Sequence, residues 1–406
     1  MALSPLDSPK PVPVAAKTLP AKAKALTILN ASTSSPSTAS TPSSDGAQDL
    51  SEKLNEQVRR KYVTGSKLGE GTYAIVYSGH IRNDPTSLVA IKKLKVNKDY
   101  PDGLAPDAFR EVRALQELSH PNIIKLYAVF STRDQNLNIV LEHLPRGDLE
   151  SLMQDKKVSY GPADVKAWTN MLAKAVWFCH ENSILHRDIK GNNLLIAADG
   201  EVKLADFGLA RTFSDPYRPM TYNVITRFYR PPELLYGARH YGGAVDVWSM
   251  ACVVAELILR HFFLPSNTDI EQIDAITDVF GSCTEDVWPG VSRLDHYIPP
   301  AKGNIKRPKP MIYWKQQFGM LGDEGIEFLK TMFVLDPRKR ATARQVLNHP
   351  YWKSNPKPTP KELLPRAGGG VEKMAEDLKR RGGEIEEKDG RADKVARKLN
   401  FADLKR

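Results

Sequence analysis

The segment HRDIKGNN at positions 186–193 places several groups that could catalyse phosphoryl transfer within eight residues. Such transfer to a hydroxyl needs a carboxylate that orients the hydroxyl and accepts its proton, a cation near the transferred group and an amide oxygen for a metal ion. Asp188, Lys190 and Asn193 supply these groups in that order. With His186 and Arg187 the segment has five fixed residues, and this spacing would occur by chance in about one chain in ten thousand. We therefore interpret the segment as a catalytic loop.

Other segments carry groups that could bind phosphates and a metal ion. The DFG motif supplies Asp206, which together with Asn193 could hold Mg²⁺ on the phosphates. The VAIK motif ends at Lys92, a cation that could reach the phosphates from a strand. Glu111 lies on a helical stripe expected to face that strand, where its carboxylate could hold the Lys92 ammonium in place. We predict a functional Lys92–Glu111 ion pair rather than two solvated surface charges.

A glycine-rich segment, GEGTYAIV, starts at Gly69. Gly69 and Gly71 would let backbone amides approach phosphate groups closely. An ordinary glycine turn, or the first turn of a dinucleotide-binding unit, has similar spacing, but a dinucleotide-binding unit needs a helix after the glycines. Here Ile75 and Val76 continue as a strand, which argues against the dinucleotide-binding unit. Lys92 on the next strand favours a phosphate-covering loop over an ordinary glycine turn.

The elements that must position these groups fall into two parts. From Tyr62 onward, short β-branched and aromatic runs (YVTGSKL, AIVYSGHI, SLVAIKKL) alternate with turn signals such as Asn83-Asp84-Pro85, which predicts an antiparallel meander. A helix is predicted at 106–118. Its apolar residues recur every three positions, at Phe109, Val112, Leu115 and Leu118. After about residue 145 helical patterns dominate, apart from a strand pair with a turn at Asp199-Gly200. The fold class is therefore α+β and bilobal, with a small β-rich N-lobe and a larger helical C-lobe.

Composition shifts mark the domain boundaries. No aromatic residue precedes Tyr62, and a Ser- and Pro-rich stretch occupies 31–44, so residues 1–55 are predicted to form a disordered arm. The N-lobe is assigned to 62–144 and the C-lobe to 145–352. A Pro- and Gly-rich, charged tail follows at 353–406.

Composition also excludes several classes of protein. The chain has 406 residues, of which 41% are hydrophobic, and its three cysteines are too far apart for a disulfide framework or a zinc knuckle, which implies a reducing compartment. Its longest apolar run is too short to span a bilayer, so we expect no membrane partner. Half of the net charge of +10 lies in residues 352–406, with 15 Lys and Arg against 10 Asp and Glu. This distribution argues against direct nucleic-acid binding, which needs a concentrated basic face.

The order of the motifs is that of the protein kinases: glycine loop, VAIK lysine, helical glutamate, HRD and DFG. The resemblance is to cyclin-dependent kinases and covers roughly Tyr62 to Trp352. Within that family, ELSHPNIIKLY, ELLYGARHYGGAVDVWS and SNPKPTPKELLPR resemble the CDK-activating kinases that also serve as the kinase subunit of transcription factor IIH. The resemblance further matches Glu233 and Arg340 to an ion pair of the family, and Asp246 to an aspartate that braces the catalytic loop.

The resemblance implies ATP and Mg²⁺ as cofactors. The matching ATP-contacting positions are Leu68, Gly69, Glu70, Gly71, Thr72, Tyr73, Ala74, Ile75, Val76, Ala90, Lys92, Glu142, Leu144 and Leu195. Val76, Ala90 and Leu195 would sandwich adenine, and backbone groups at Glu142 and Leu144 would hydrogen-bond it. Ala74 replaces the third glycine of the loop. Gly191 stands where most relatives carry proline, which should loosen the catalytic loop.

The resemblance also implies a switch and a substrate pocket. Thr221 matches the activation-loop phosphothreonine of the family, and three arginines match its phosphate clamp. These are Arg110, Arg187 and Arg211. Ile225 and Arg230 match the pair that shapes the proline-directed pocket, where a backbone carbonyl turns away from the substrate. A residue with an N–H after the acceptor would leave that donor unsatisfied, whereas proline has no N–H to lose.

The expected function is that of an ATP-dependent, proline-directed serine/threonine kinase located in the nucleus. The expected partners are a cyclin, an assembly factor, transcription factor IIH and protein substrates with Ser/Thr-Pro sites. The expected substrates are the heptad-repeat tail of RNA polymerase II, the activation loops of other cyclin-dependent kinases, or both. The alternatives are a cyclin-dependent kinase of the cell-cycle or transcription-elongation type, and a catalytically dead scaffold. A scaffold would be expected to lack Lys92, Asp188, Asn193 or Asp206, and all four are present.

Overall fold

The computed structural model describes residues 50–70, 74–95, 106–132, 136–213, 217–301 and 303–365. The chain divides into two compact units, Met1–Glu56 and Gln57–Arg406. In the first unit the described residues are 50–56, which are helical and exposed or half-buried. They belong to helix α1, Leu50–Lys61. The predictions for the rest of the N-terminal arm and for residues 366–406 lie outside the described residues.

A five-stranded antiparallel sheet forms the small lobe, with the order β1-β2-β3-β5-β4. The strands are β1 (Tyr62–Glu70), β2 (Ala74–Ile81), β3 (Asp84–Leu94), β4 (Leu126–Ser131) and β5 (Leu137–Glu142). The predicted meander is confirmed, although the turn lies at Arg82 and Asn83 while Asp84 and Pro85 already begin β3. Lys92 pairs with Val76 on one side and Ile139 on the other, so it lies on a central strand.

Helix α2, Pro106–Glu117, confirms the helix predicted after the third strand, but its buried face differs from the apolar stripe in the sequence. Ala108, Glu111 and Leu115 are at most 5% exposed, whereas Phe109 is 55% exposed. Because each residue advances about 100° around a helix, a face centred on Glu111 turns Phe109 outward. The apolar repeat that indicates the helix therefore does not define its buried face.

The larger lobe is mainly helical. Its described helices are α3 (Leu149–Gln154), α4 (Pro162–Glu181), α5 (Pro232–Leu235), α6 (Ala244–Leu259), α7 (Asp269–Phe280), α8 (Met311–Phe318), α9 (Gly322–Met332) and α10 (Ala343–Leu347). Short strands carry the loops near the lobe junction: β6 (Ile184–Leu185), β7 (Leu194–Ile196), β8 (Val202–Leu204) and β9 (Arg211–Thr212). β7 pairs with β8, and Gly200 in their turn has a φ of 91°, which confirms the predicted hairpin.

Helix α6 forms the centre of this lobe because its sequence is apolar on all sides, so every residue from Val245 to Ile258 is buried. Trp248 packs against the rings of Phe280 and Phe333. Within the described ranges, no helix combines the length and apolar character needed to cross a bilayer. Asp246, near the N-terminal end of this buried helix, contacts the catalytic loop.

Packing continues past the sequence-based boundary at residue 352. The buried Lys166 of α4 donates to the carbonyls of Tyr351 (3.0 Å) and Ser354 (3.2 Å). Farther along, Lys361 binds Asp199 at 2.6 Å in the β7–β8 turn. The part of SNPKPTPKELLPR up to residue 365 therefore packs as a strap across the C-lobe.

Candidate active site

The catalytic loop follows β6, and Asp246 of α6 binds its backbone. The two carboxylate oxygens of Asp246 accept the N–H groups of His186 (3.0 Å) and Arg187 (2.9 Å), as the resemblance implied. His180 adds a third bond at 2.9 Å. Burial alone would raise the pKa of Asp246, but the bonds from His180 and the Arg187 N–H outweigh it and lower the pKa. Arg187 has a φ of 63°, so Asp246 also stabilises a strained backbone.

The Asp188 carboxylate is buried and held by three polar side chains. Thr226 donates its hydroxyl to Oδ1 at 3.0 Å, and Asn193 donates its amide to Oδ2 at 2.9 Å. Lys190 lies 3.4 Å from Oδ2 and 3.1 Å from the Thr226 hydroxyl. A carboxylate fixed in this way can accept a proton from an incoming hydroxyl without reorganising. Sequence reasoning missed Thr226, whose contact crosses 38 positions of the chain.

A second charged cluster lies at the lobe junction. The Lys92 ammonium lies 2.6 Å from Glu111 and 3.8 Å from Asp206. The predicted ion pair between β3 and α2 is thus present. Asp206 has a φ of 63°, a strained value that places a non-glycine residue in the left-handed region. Such strain is typical of functional sites, where surrounding contacts fix one geometry.

His186 connects the catalytic loop to the DFG segment. Its Nδ1 accepts the N–H of Asp188 at 3.2 Å and its Nε2 lies 3.0 Å from the carbonyl of Ala205. Nδ1 is therefore the acceptor and Nε2 the donor, which is a neutral tautomer. Burial lowers the pKa of His186 and keeps the ring neutral. Its ring packs edge-on against Phe207, with centroids 4.6 Å apart.

The predicted adenine site is apolar. Val76 and Ala90 belong to one hydrophobic cluster, and the partly buried Leu68, Leu144 and Leu195 pack against it. Glu142, the last residue of β5, donates its N–H to the Lys125 carbonyl, so a hydrogen bond from adenine would use its carbonyl oxygen. The Glu142 carboxylate lies 3.1 Å from the Lys203 ammonium, so this side chain is already engaged in an ion pair and is not expected to bind adenine.

The glycine loop is described only at its two ends. Gly69 pairs with Val76 and Glu70 pairs with Ile75 in the β1–β2 ladder. Hydrogen bonds from Lys67 and Lys95 lower the pKa of Glu70 to about 2, so its side chain is engaged at the rim. Any contact of Glu70 with ATP would be through its backbone. Gly71, Thr72 and Tyr73 lie outside the described residues, and Ala74 and Ile75 begin β2.

The charges of two predicted clamp arginines, Arg187 and Arg110, act on the third, Arg211 of the activation segment. The pKa of Arg211 is lowered first by burial and then by the charges of other arginines. These are Arg218, Arg187 and Arg110. Arg187 donates to the hydroxyl of Tyr241 at 2.9 Å. The same hydroxyl donates to the carbonyl of Thr221 at 2.6 Å. The exposed Thr221 is thus linked through Tyr241 to Arg187 and its neighbouring positive charges. Sequence reasoning missed both Arg218 and Tyr241.

The predicted proline pocket has an unusual backbone. Ile225 has a φ of 69°, which costs a β-branched residue about 1–3 kcal/mol. Arg230 offsets this cost, since its Nη2 donates to the Ile225 carbonyl at 3.1 Å and its Nε donates to the Val224 carbonyl at 3.0 Å. The Ile225 carbonyl is thereby engaged by the buried Arg230 rather than presented to a substrate.

Comparisons with known proteins agree with this geometry. Residues 62–352 match the protein kinase domain family. The chain belongs to the protein kinases. It is 44% identical over 326 residues to serine/threonine-protein kinase crk1 of Schizosaccharomyces pombe, covering 79% of this chain and 93% of that protein. It is 42% identical over 309 residues to serine/threonine-protein kinase KIN28 of Saccharomyces cerevisiae, covering 75% of this chain and 97% of that protein.

Two further relatives define the subfamily of this kinase. Cyclin-dependent kinase 7 of Xenopus laevis is 40% identical over 351 residues, covering 84% of this chain and 96% of that protein. A solved structure of the CAK complex from Chaetomium thermophilum bound to ATP-γ-S contains a chain with 59% identity and a TM-score of 0.76. That match covers 79% of this kinase and 99% of the other chain. This kinase is thus a serine/threonine protein kinase that resembles the CDK-activating group.

Gly191 of this kinase packs closely against a residue of helix α3. A Cβ at this position would lie 2.8 Å from the Cβ of Glu150 and 3.1 Å from its Cα. Gly191 is buried, and its missing side chain lets helix α3 approach the catalytic loop closely. The expectation that glycine loosens the loop overlooked this packing, which could not be anticipated because Glu150 is 41 positions away.

Proposed function

We propose that this kinase transfers phosphoryl groups from ATP to serine or threonine followed by proline, and that a cyclin activates it. The engaged Ile225 carbonyl is the observation that carries proline direction. The matches to cyclin-dependent kinase 7 and to the CAK complex bound to ATP-γ-S support the cyclin and the nucleotide. On the same grounds we propose the polymerase II heptad tail and other kinases' activation loops as substrates, an assembly factor and transcription factor IIH as partners, and the nucleus as location.

The charged groups at the lobe junction suit ATP and Mg²⁺. Mg²⁺ neutralises phosphate charge when bound, and the oxygens of Asn193 and Asp206 are of the type it prefers. The Asn193 Nδ2 atom is directed at Asp188, which turns its Oδ1 to the opposite side. Lys92, held by Glu111, would orient the phosphates. Asp188 would accept the proton of the substrate hydroxyl while Lys190 neutralises charge near the transferred group.

Peptides that differ only after the acceptor test proline direction. We expect a Ser-Pro peptide to have a kcat/KM about ten- to a hundredfold above that of a Ser-Ala peptide. The reason is that the Ala N–H would be buried without an acceptor, at a cost of about 1–3 kcal/mol. Steady-state kinetics with the full-length kinase measure this ratio.

A third peptide isolates the physical cause. N-methylalanine after the serine removes the N–H without supplying the proline ring, so it should recover most of the lost kcat/KM. Equal rates for Ser-Pro and Ser-Ala would refute the pocket. A clear Ser-Pro preference without recovery by N-methylalanine would mean that the pocket recognises the ring instead.

Helix α2 is the element on which a cyclin would act. Its buried Glu111 holds Lys92, while Phe109 exposes 55% of its surface on another face of the same helix. An apolar side chain of this size gains about 1.5–3 kcal/mol when a partner covers it. A subunit that binds Phe109 would therefore stabilise the helix position in which the Lys92–Glu111 pair is formed.

We expect the purified kinase alone to be at least about tenfold less active than its complex with a cyclin recovered from cell extract. Phe109→Ser should weaken cyclin affinity by roughly ten- to a hundredfold, because it removes the apolar contact. Leu88→Ser on β3 is the matched control, since Leu88 is equally exposed at 55%. Mass spectrometry of the recovered partners checks the assembly. Full activity of the isolated chain, or unchanged cyclin affinity of Phe109→Ser, would contradict this proposal.

The other candidate functions are less well supported. A catalytically dead scaffold would not need the strained, fully bonded arrangement around Asp188 and Asp206. A kinase of the cell-cycle or elongation type would differ in its partners, so recovery of transcription factor IIH subunits distinguishes it.

A further inference from the structure

Asp269 lies next to the proposed proline pocket, although it comes from a different part of the chain. It is the first residue of α7, where the Thr268 side chain caps the helix by accepting the N–H of Glu271. Its two carboxylate oxygens accept Nη1 of Arg230 at 3.1 Å and 3.2 Å. Its Oδ1 also accepts Nε of Arg227 at 3.0 Å. One carboxylate therefore binds two arginines of the segment that follows Ile225.

The guanidinium of Arg230 is planar, so fixing one edge fixes the other. Nη1 is bound by Asp269, while Nη2 and Nε face the carbonyls of Ile225 and Val224. The Arg230 side chain is only 6% exposed, so it has little access to water as a replacement partner. The orientation that engages the Ile225 carbonyl thus depends on the Asp269 carboxylate.

We propose that Asp269 is a positioning residue that sets the strictness of proline selection by holding Arg230 against the Ile225 carbonyl. This inference rests on the proposed proline-directed function and adds to it the residue that maintains the pocket. Without the carboxylate, Arg230 can rotate and release the Ile225 carbonyl from its strained position at a φ of 69°. A released carbonyl can accept the N–H of a residue other than proline, which removes the penalty on such substrates.

The test compares kcat/KM for the Ser-Pro and Ser-Ala peptides, using the full-length kinase purified with its accompanying subunits. Asp269→Asn should narrow the Ser-Pro to Ser-Ala ratio at least threefold, with Ser-Ala gaining relative to Ser-Pro. Asp269→Glu keeps the negative charge, so this variant should retain most of the original Ser-Pro to Ser-Ala ratio. Asp274→Asn is the control, because Asp274 is a similarly exposed carboxylate on α7 that pairs with Lys306 instead. It should leave the ratio unchanged.

The outcomes separate the inference from the function on which it rests. If Asp269→Asn lowers kcat/KM equally for both peptides, or changes it for neither, Asp269 does not control selection. The inference is then wrong, while proline direction stands. If the unsubstituted kinase shows no preference, the pocket itself fails and the inference fails with it. Asp269 is 54% exposed, so the substitution should leave the fold intact, which a thermal unfolding midpoint confirms.

Discussion

Replacing Asp188 with Asn should lower kcat by about 10³-fold or more while ATP affinity stays within about twofold of the original. General acid–base groups typically contribute 10²–10⁴ to a rate, and an amide cannot accept the substrate proton. The amide is isosteric with the carboxylate, so its oxygen can still accept from Asn193 while its nitrogen donates to the Thr226 hydroxyl. The local structure should therefore survive. Steady-state kinetics and calorimetric titration with an ATP analogue measure the two quantities.

A carboxylate far from the lobe junction provides the control for Asp188→Asn. Asp323 on α9 is 73% exposed and pairs with Lys315, so Asp323→Asn should leave kcat unchanged. Thr226→Val tests the support of Asp188 separately, because it removes the hydroxyl that contacts both Asp188 and Lys190. A smaller loss of kcat is expected, since Asn193 still holds the carboxylate. Turnover of Asp188→Asn at the original rate would overturn the assignment of this loop.

The catalytic groups could be identified from sequence because their chemistry needs fixed residue types at short spacing. Asp188, Lys190 and Asn193 lie within six consecutive positions and supply the carboxylate, the cation and the amide oxygen that the chemistry needs. The pair of the β3 lysine and the helical glutamate was predictable for a different reason, since opposite charges on a strand and on the next helix can form an ion pair.

The contacts that hold these groups were less accessible from sequence. Thr226, Tyr241 and Asp269 are common polar residues whose partners lie tens of positions away, so no local pattern distinguishes them from surface side chains. Phe109 shows that an apolar repeat can indicate a helix without indicating which of its faces is buried. Its spacing fitted an apolar stripe, but the need of Glu111 to reach Lys92 set which face of α2 is buried.

The segment after Trp352 shows a similar limit. Its prolines and charges indicate a tail by composition and give no sign of burial, yet Leu364 is 3% exposed and the buried Lys166 donates to the carbonyls of Tyr351 and Ser354. Burying an amine without acceptors is costly, so the strap and Lys166 depend on each other. Only the fold reveals that an apparently exposed lysine of α4 requires this segment.

The ion pair between Glu233 and Arg340 is buried, so removing one of its partners should cost more stability than breaking a surface ion pair. Arg340 binds both Glu233 oxygens, at 2.7 Å and 2.9 Å, and the two side chains are 0% and 2% exposed. Arg340 also donates to the carbonyls of Ala244 and Val334 and lies over the Trp248 ring at 4.9 Å. The pair joins α5, which follows the proline pocket, to the start of α6 and the end of α9.

Arg340→Met should therefore lower the free energy of unfolding by about 3–5 kcal/mol, because it leaves the Glu233 carboxylate buried without its countercharge. A urea midpoint measures the change. Adding Glu233→Gln to this variant should recover part of the loss, since the remaining group is neutral. Arg344→Met is the control, because Arg344 is 65% exposed in its pair with Glu181 and should change stability by no more than about 1 kcal/mol. Equal losses in Arg340→Met and Arg344→Met would mean that burial does not determine the energy of this pair.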